Sequence, residues 1–431
     1  MKTEFILKTY LSQLFKHPLA KNALALYAVQ IANYIFPLIT IPYLTRILRP
    51  EGWGLVIFAQ SFAIWLSLIL EYGFNLSATR DISRNRLDLC HISQIVEGVM
   101  GAKSLLLLGT VLVTLVAGSA TPLFRQYPDY LWLAWLSAIA QGLNPLWYFQ
   151  GLERLYQPAI LSVAARFLSV ILIFILIRDP GDGWMVLALQ AGAGFLATVI
   201  SIIWMYREVP FRWPLFSQAI YALRMGWSMF FFCSTVSLYT TANAFILGFF
   251  VPPALVGLYG GAEKISKSVL SLLNPISQAL YPRMNHLVAN NSKRAANLAY
   301  LSLLFMGGLG FILSALIIVT APTIVKILLG PGFEGSIPVL RLLSLLIPLI
   351  ALSNVLGIQW MIPLGLDRTF NIIIMTAGLI NLALAFLFAP RFGPMGMGEA
   401  VVLSETFVTS SMFLVLWKKK LNPFGGIKNE S

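Results

Sequence analysis

Apolar stretches of roughly 20 residues recur along the chain, separated by short polar joints. An α-helix rises about 1.5 Å per residue, so about 20 apolar residues cross the ~30 Å hydrocarbon core of a bilayer. The pattern predicts twelve such helices, at 23–44, 53–74, 94–118, 130–150, 158–177, 184–205, 226–250, 257–281, 298–320, 336–362, 370–389 and 395–417. Membrane-spanning strands would be about 10 residues long with alternating polarity. The predicted class is therefore an all-α integral membrane protein.

Composition supports this class. Hydrophobic residues make up 58% of the chain and charged residues 11%, against about 25% charged in soluble domains. No stretch remains for a separate soluble domain. A net charge of +13 would point to nucleic acid in a soluble protein, but here the basic residues sit mainly in the joints between spans. With the N-terminus in the cytoplasm, the inner segments hold 19 Lys and Arg and the outer segments six. That bias places both termini inside. Residues 1–21 carry Lys2, Lys8, Lys16 and Lys21 among Phe5, Ile6, Leu11, Leu14 and Phe15. They read as an amphipathic segment on the inner surface, not a cleaved leader.

The longest inner joint, 206–225, reads as a cytoplasmic linker between an N-terminal six-helix bundle at 22–205 and a C-terminal one at 226–417. A basic tail follows at 418–431. A repeat supports two halves. PEGWGLVIFAQ (50–60) aligns with PALVGLYGGAE (253–263) at an offset of 203, matching Pro50 to Pro253, Gly54 to Gly257, Leu55 to Leu258 and Ala59 to Ala262. Both segments join the first span of a half to its second and run in the same predicted direction, so the halves are parallel.

Charges at membrane depth are costly and mark candidate sites. The basic residues within spans are Lys103, Arg166, Lys264, Lys267 and Arg341, and the acids are Glu71, Glu97, Glu263, Glu399 and Glu405. Glu263 precedes Lys267 by four residues, the favourable order for an ion pair on one helix. Lys264 has no acid at helical spacing and lies about 10 Å from the outer boundary by the helical rise. It either lines a cavity or snorkels outward. Arg166, near the middle of span five, and Lys103, on span three, serve either an anionic ligand or interhelical pairs. Arg341 is close enough to a span end to snorkel, and Glu71 lies near the inner boundary. Glu405 at mid-span, and Glu263, are the acids that could carry a coupling proton. Arg80, Arg84 and Arg86 form a cytoplasmic basic rim, which positive-inside topology also requires.

Trp53, Trp132, Trp184 and Trp417, at span ends, read as interfacial anchors. Asn144, Asn274, Gln278 and Asn381 read as interhelical hydrogen-bond partners. Pro37, Pro42, Pro145, Pro275 and Pro363 are placed to kink or end helices. Cys90 and Cys233 read as free thiols. His17, His91 and His286 show no metal spacing, and no phosphate-cradling glycine loop is present. Neither an enzyme nor a cofactor is expected.

Four stretches carry a resemblance: IPYLTRILRPEGWG (41–54), EYGFNLSATRDISRNR (71–86), NPLWYFQGLERL (144–155) and VGLYGGAEKISKS (256–268). They resemble the Wzx-type polysaccharide (O-antigen) flippases of the multidrug/oligosaccharidyl-lipid/polysaccharide exporter superfamily. The likeness runs from the first span to the last. One departure is local: the family usually has Gly before the Pro of the first stretch, and Arg49 stands there. The resemblance implies two six-helix bundles around a central cavity. It implies a polyprenyl-diphosphate-linked oligosaccharide as substrate, moved between leaflets of a bacterial cytoplasmic (inner) membrane by alternating access. A polysaccharide polymerase and a chain-length regulator are the implied partners. Lys264, Lys267, Arg166 and Lys103 are then candidates for the diphosphate. The competing expectations are a cation-coupled multidrug exporter of the related branch and a membrane enzyme of glycan assembly.

Overall fold

The computed structural model describes residues 18–421. Residues 1–17 of the predicted amphipathic segment and 422–431 of the predicted basic tail lie outside the described residues. Among the described residues every regular element is helical. Seven helical stretches among the described residues are long and apolar enough to cross a membrane, and the chain is an all-helical membrane protein. Large apolar side chains such as Leu108, Ile312 and Val319 are exposed on these helices, as side chains facing lipid tails are.

The helices in chain order are α1 (Pro18–Glu71), α2 (Phe74–Arg84), α3 (Leu89–Ala120), α4 (Pro122–Gln126), α5 (Pro128–Gly142), α6 (Leu146–Gly151), α7 (Tyr156–Leu176) and α8 (Gly183–Glu208). They continue as α9 (Phe216–Thr241), α10 (Asn243–Leu247), α11 (Pro253–Ser271), α12 (Asn274–Asn290), α13 (Ser292–Leu328), α14 (Ser336–Ser344), α15 (Leu346–Asn354) and α16 (Asp367–Lys418). A π-helical turn, Val355–Met361, extends α15.

Two of these helices are single only in name. Helix α1 breaks at Arg49 (φ 57°, ψ 178°), and α16 breaks at Gly393 (φ 57°, ψ −130°). Both breaks open the same pattern: Arg49-Pro-Glu-Gly-Trp-Gly and Gly393-Pro-Met-Gly-Met-Gly. A residue before proline is excluded from the right-handed helical region, and here it turns to positive φ. Glycine does that freely, whereas an arginine is strained by about 1–3 kcal/mol. The departure at Arg49 is therefore a substitution at a backbone position suited to glycine. Asn-Pro pairs mark two further interruptions. Pro145 caps α6 after the break that follows Gly142, and Pro275 lies in the first turn of α12.

The chain divides into two compact units. One holds the described residues up to Ile47 together with Ala59–Ser234, and the other holds Leu48–Phe58 and the described residues from Thr235 onward. Within the first unit, the motif stretches at 71–86 and 144–155 pack on each other. Phe74, Ile82, Trp147, Tyr148 and Phe149 are all buried in one apolar cluster. Thr79 Oγ1 donates to the Trp147 carbonyl at 3.1 Å. Tyr72 (φ 46°) and Gly73 (φ 73°) turn the chain into α2, and the Tyr72 ring stacks on Phe230 at 4.5 Å.

Within the second unit, the two repeat segments cross each other through their matched glycines. A Cβ on Gly54 would stand 1.8 Å from the Pro253 carbonyl oxygen, and one on Gly257 would stand 2.1 Å from that of Pro50. The contact is reciprocal, so the sequence repeat is also a local two-fold relation. It leaves Trp53 buried, which corrects its reading as an interfacial anchor. Trp53 lies in Leu48–Phe58, a segment of the second unit, where neighbouring side chains and backbone cover the ring. Trp132, Trp184 and Trp417 are exposed.

Candidate functional site

Helix α11, which overlaps the predicted span 257–281, carries Glu263, Lys264 and Lys267 within five residues. The Lys267 ammonium lies 3.0 Å from Glu263 Oε1 and donates to the Thr240 carbonyl at 2.8 Å. Tyr259, fully buried, directs its hydroxyl to the same carboxylate oxygen at 3.5 Å. Glu263 thus stands between a phenol and an ammonium, and the Glu263–Lys267 pair is close to neutral. Asn243, also buried, interacts with the Tyr259 hydroxyl from α10. The spacing of four residues identified Glu263 and Lys267 as partners. It did not reveal Thr240 or Asn243, which come from the preceding helices.

Lys264 differs. It is half-buried, and its backbone carbonyl accepts Ser268 Oγ at 2.8 Å. Among the described residues no carboxylate lies within ion-pair distance of its ammonium. Its position three and four residues after Gly261 and Gly260 puts it on the face of α11 where those glycines pack against Leu329 and Ile57. The local charge of this helix turn is therefore one uncompensated ammonium beside a neutralised pair. Such a group binds an anion through charge-assisted hydrogen bonds.

The other predicted basic residues occupy the first unit. Lys103 is 1% exposed and donates to the Gly142 carbonyl at 2.5 Å. Gly142 ends α5, where carbonyls lack helical partners and a cation is favourable. Glu71 supplies the neighbouring negative charge. Lys103 is thus occupied as the C-terminal cap of α5. Arg166 is exposed on α7, and among the described residues it forms no ion pair within 4 Å. Arg341 donates to the Ile318 carbonyl at 3.1 Å.

Of the acids, Glu405 is buried in the second unit and accepts Ser353 Oγ at 2.7 Å. Ser353 lies two residues before the π-helical turn. That turn carries Gln359, fully buried, whose amide nitrogen donates to Ser277 Oγ at 3.2 Å. Wide turns of this kind occur mostly at functional positions. Glu97 is 6% exposed and accepts the Leu215 backbone N–H at 3.2 Å. A carboxylate there favours the N-terminus of α9, so Glu97 fastens the start of α9 to α3. Distance in sequence hid this role.

The arginine rim is partly engaged. Arg86 pairs with Glu153 at 2.7 Å, and Arg80 approaches Asp81 at 3.4 Å. Arg154 pairs with Glu208 at 2.9 Å, and Tyr148 donates to the same carboxyl at 2.9 Å. The Arg86 hydrogen bond holds the Glu153 carboxyl below its ordinary pKa. A cavity of about 210 Å³ beside α2, α3 and α9 is lined by Asp81, His91, Gln218 and Tyr221 over Phe74 and Val99. It contains none of the predicted site residues. Among the described residues no group of three or more His, Cys, Asp or Glu is placed to hold a metal ion.

Comparisons with known proteins bear on the family and the fold. Residues 19–288 match the family described as polysaccharide biosynthesis protein. A protein of Escherichia coli (strain K12) named "Putative O-antigen transporter" is 31% identical over 408 residues, spanning 94% of this chain and 98% of its own. A protein of Shigella dysenteriae with the same name is 31% identical over 402 residues, 91% and 98% of the two chains. Among solved structures, the lipid II flippase MurJ in an inward closed conformation superposes with a TM-score of 0.69 at 13% identity, over 94% of this chain and 88% of that one. An inward-facing multidrug resistance MATE transporter gives 0.64 at 14% identity, over 91% and 99%. The two structures share the fold. The family match, over more than half of the chain, and the two relatives, which this chain covers almost end to end, establish that it belongs to the polysaccharide biosynthesis protein family.

Proposed function

We propose that this chain flips a polyprenyl-diphosphate-linked oligosaccharide from the inner to the outer leaflet of the bacterial cytoplasmic membrane by alternating access. Two parallel halves of six spans each would move, with both termini in the cytoplasm. The observation that carries the reading is Lys264, on a stretch that the sequence predicts to span the membrane, whose ammonium the described residues leave without a carboxylate within ion-pair distance. A diphosphate crossing a bilayer needs such a group where water is scarce. Lys267 is already engaged with Glu263 and Thr240 and is the secondary candidate beside Lys264. Arg166 is the candidate in the first half, and Lys103 serves as a positioning group. Arg80 and Arg84 would attract the anionic headgroup at the cytoplasmic side, at about 1 kcal/mol per basic residue by analogy with anionic surfaces.

Outward movement of an anion runs with an inside-negative potential, at about 2.3 kcal/mol per charge at 100 mV. Glu405, held by Ser353, is the acid assigned to proton coupling. A flipping rate unchanged in Glu405→Gln would remove it from that role. The test of the main reading uses proteoliposomes loaded with a fluorescent polyprenyl-diphosphate sugar and follows quenching at the outer leaflet. Wild-type protein should expose the headgroup, and Lys264→Ala should not, at equal insertion. Absence of protein-dependent flipping across several glycans and imposed potentials would instead favour export of cationic drugs by the same fold.

A further inference from the structure

The cavity beside α2, α3 and α9 lies wholly within the first compact unit. Its walls are helix stripes, with residues three, four and seven apart on one face. Helix α2 gives Phe74, Ala78 and Asp81, and α3 gives His91, Gln94 and Gly98. Helix α9 adds Tyr221 and Ala222. Gly98 lets α3 meet α9 closely, since a Cβ there would stand 3.2 Å from the Gln218 carbonyl oxygen and 3.6 Å from the Ala222 β-carbon. At about 210 Å³ the cavity is smaller than the ~300–1,000 Å³ of drug-sized sites. It takes one ring-sized group.

The lining chemistry narrows what that group is. Phe74, Ala78 and Val99, all buried, form an apolar floor. Asp81, His91, Gln94 and Tyr221 form a polar rim. Among the described residues no hydrogen bond engages the His91 ring, the Gln94 amide or the Tyr221 hydroxyl. Together the four supply donors and acceptors of several kinds. No Lys or Arg lines the cavity, so a phosphate or carboxylate finds no cation there. The Asp81 carboxylate already faces the Arg80 guanidinium at 3.4 Å, so a lone ammonium gains little. What remains is a neutral group that is apolar on one side and both donates and accepts hydrogen bonds at its edge. A pyranose ring has that form: its C–H face is apolar and its hydroxyls do both.

We propose that this cavity is a subsite for one neutral sugar ring. The C–H face lies on Phe74 and Val99, and the hydroxyls bond to Asp81, His91, Gln94 and Tyr221. The cavity lies where α2, α3 and α9 meet joints that positive-inside topology places in the cytoplasm, the side from which the proposed substrate arrives. That the ring belongs to a lipid-linked oligosaccharide rests on the flippase reading. The binding of a sugar does not.

The experiment is saturation-transfer NMR on the full chain in lipid nanodiscs, with glucose, N-acetylglucosamine and glucuronate as probes. At least one of the two neutral sugars should receive saturation, and more than glucuronate does. Tyr221→Ala and Gln94→Ala, both at exposed positions, should each reduce the transfer at least fivefold, and Ala222→Leu, which fills the cavity, should abolish it. Transfer to neither neutral sugar would overturn the proposal. So would transfer that is strongest for glucuronate, or equal in wild type and all three variants. In proteoliposomes, Tyr221→Ala should also raise the half-saturating concentration of a lipid-linked sugar at least fivefold. An unchanged value would overturn the assignment of the ring to the transported substrate. If the wild type flips no lipid-linked sugar, the flippase reading fails, and the NMR measurement still decides the subsite.

Discussion

The two repeat segments share a backbone and differ in charge. Pro50 and Gly54 in the first correspond to Pro253 and Gly257 in the second, and each glycine is required by the other's carbonyl. Continuing at the same offset, Gln60 corresponds to Glu263, Ser61 to Lys264 and Ile64 to Lys267. In the first copy Gln60 forms a neutral hydrogen bond to Gln190 at 2.9 Å, and Ser61 is buried. In the second copy all three positions are ionic. Glycines at a helix crossing are kept for geometry. Charges at membrane depth cost several kcal/mol and are kept where something must be bound or moved. The proposed site rests on this difference between the two copies.

Making the second copy like the first should have the largest effect. Lys264→Ser removes one charge-assisted interaction worth about 1.5–3 kcal/mol, so flipping in proteoliposomes should fall by about 10- to 100-fold. Adding Ser61→Lys to that variant should not restore it. Restoration would mean that the copies are interchangeable and that the asymmetry is incidental. Next come the glycines: Gly54→Ala and Gly257→Ala should each destabilise by about 1–3 kcal/mol, the usual cost of overpacking. Because the contact is reciprocal, thermal unfolding in detergent should give similar losses, and a marked inequality would break the two-fold relation.

Glu263→Gln tests the neutralised pair. Lys267 is about half exposed and keeps the Thr240 carbonyl, so the cost should be about 1 kcal/mol. Flipping should change much less than in Lys264→Ser. An equal loss would transfer the binding role to the pair. A smaller gain is expected from Arg49→Gly, which places at the first break the residue that Gly393 supplies at the other. Relief of positive φ should stabilise the protein by about 1 kcal/mol, readable as a rise in melting temperature.

The smallest effect lies outside both copies. Glu153, held below its ordinary pKa by Arg86, stays ionised in the folded state to lower pH than in the unfolded state. Its contribution is complete above the unfolded carboxylate pKa of about 4.3 and disappears as pH falls through the depressed folded value. Wild type and Arg86→Ala should therefore differ slightly in melting temperature at neutral pH and converge under acid.

Much of this was legible along the chain. Hydrophobic spacing identified the all-helical membrane class, the matched prolines and glycines identified the repeat, and the four-residue spacing paired Glu263 with Lys267. Lys103 was legible only as a buried charge, because its partner Gly142 is 39 residues away. Glu97 looked uninformative near a span end because its partner, the Leu215 N–H, lies 118 residues on. The motifs at 71–86 and 144–155, distinctive as sequence, prove to be largely packing. Their aromatic residues fill one buried cluster of the first unit.

The sequence by itself determined the solvent of this protein, its helical class, its repeat and which charged residues interrupt its apolar stretches. Those properties follow from the local period of the helix and the cost of charge in hydrocarbon, both of which act within a few residues. Tertiary structure decided which of those charges are already occupied. It closed Lys103 on a helix end, joined Lys267 to Glu263 and Thr240, set Glu405 against Ser353 and left Lys264 without a carboxylate among the described residues. Compensation of a buried charge depends on groups within a few ångströms in space, and chain folding brings those groups from helices that no local pattern connects.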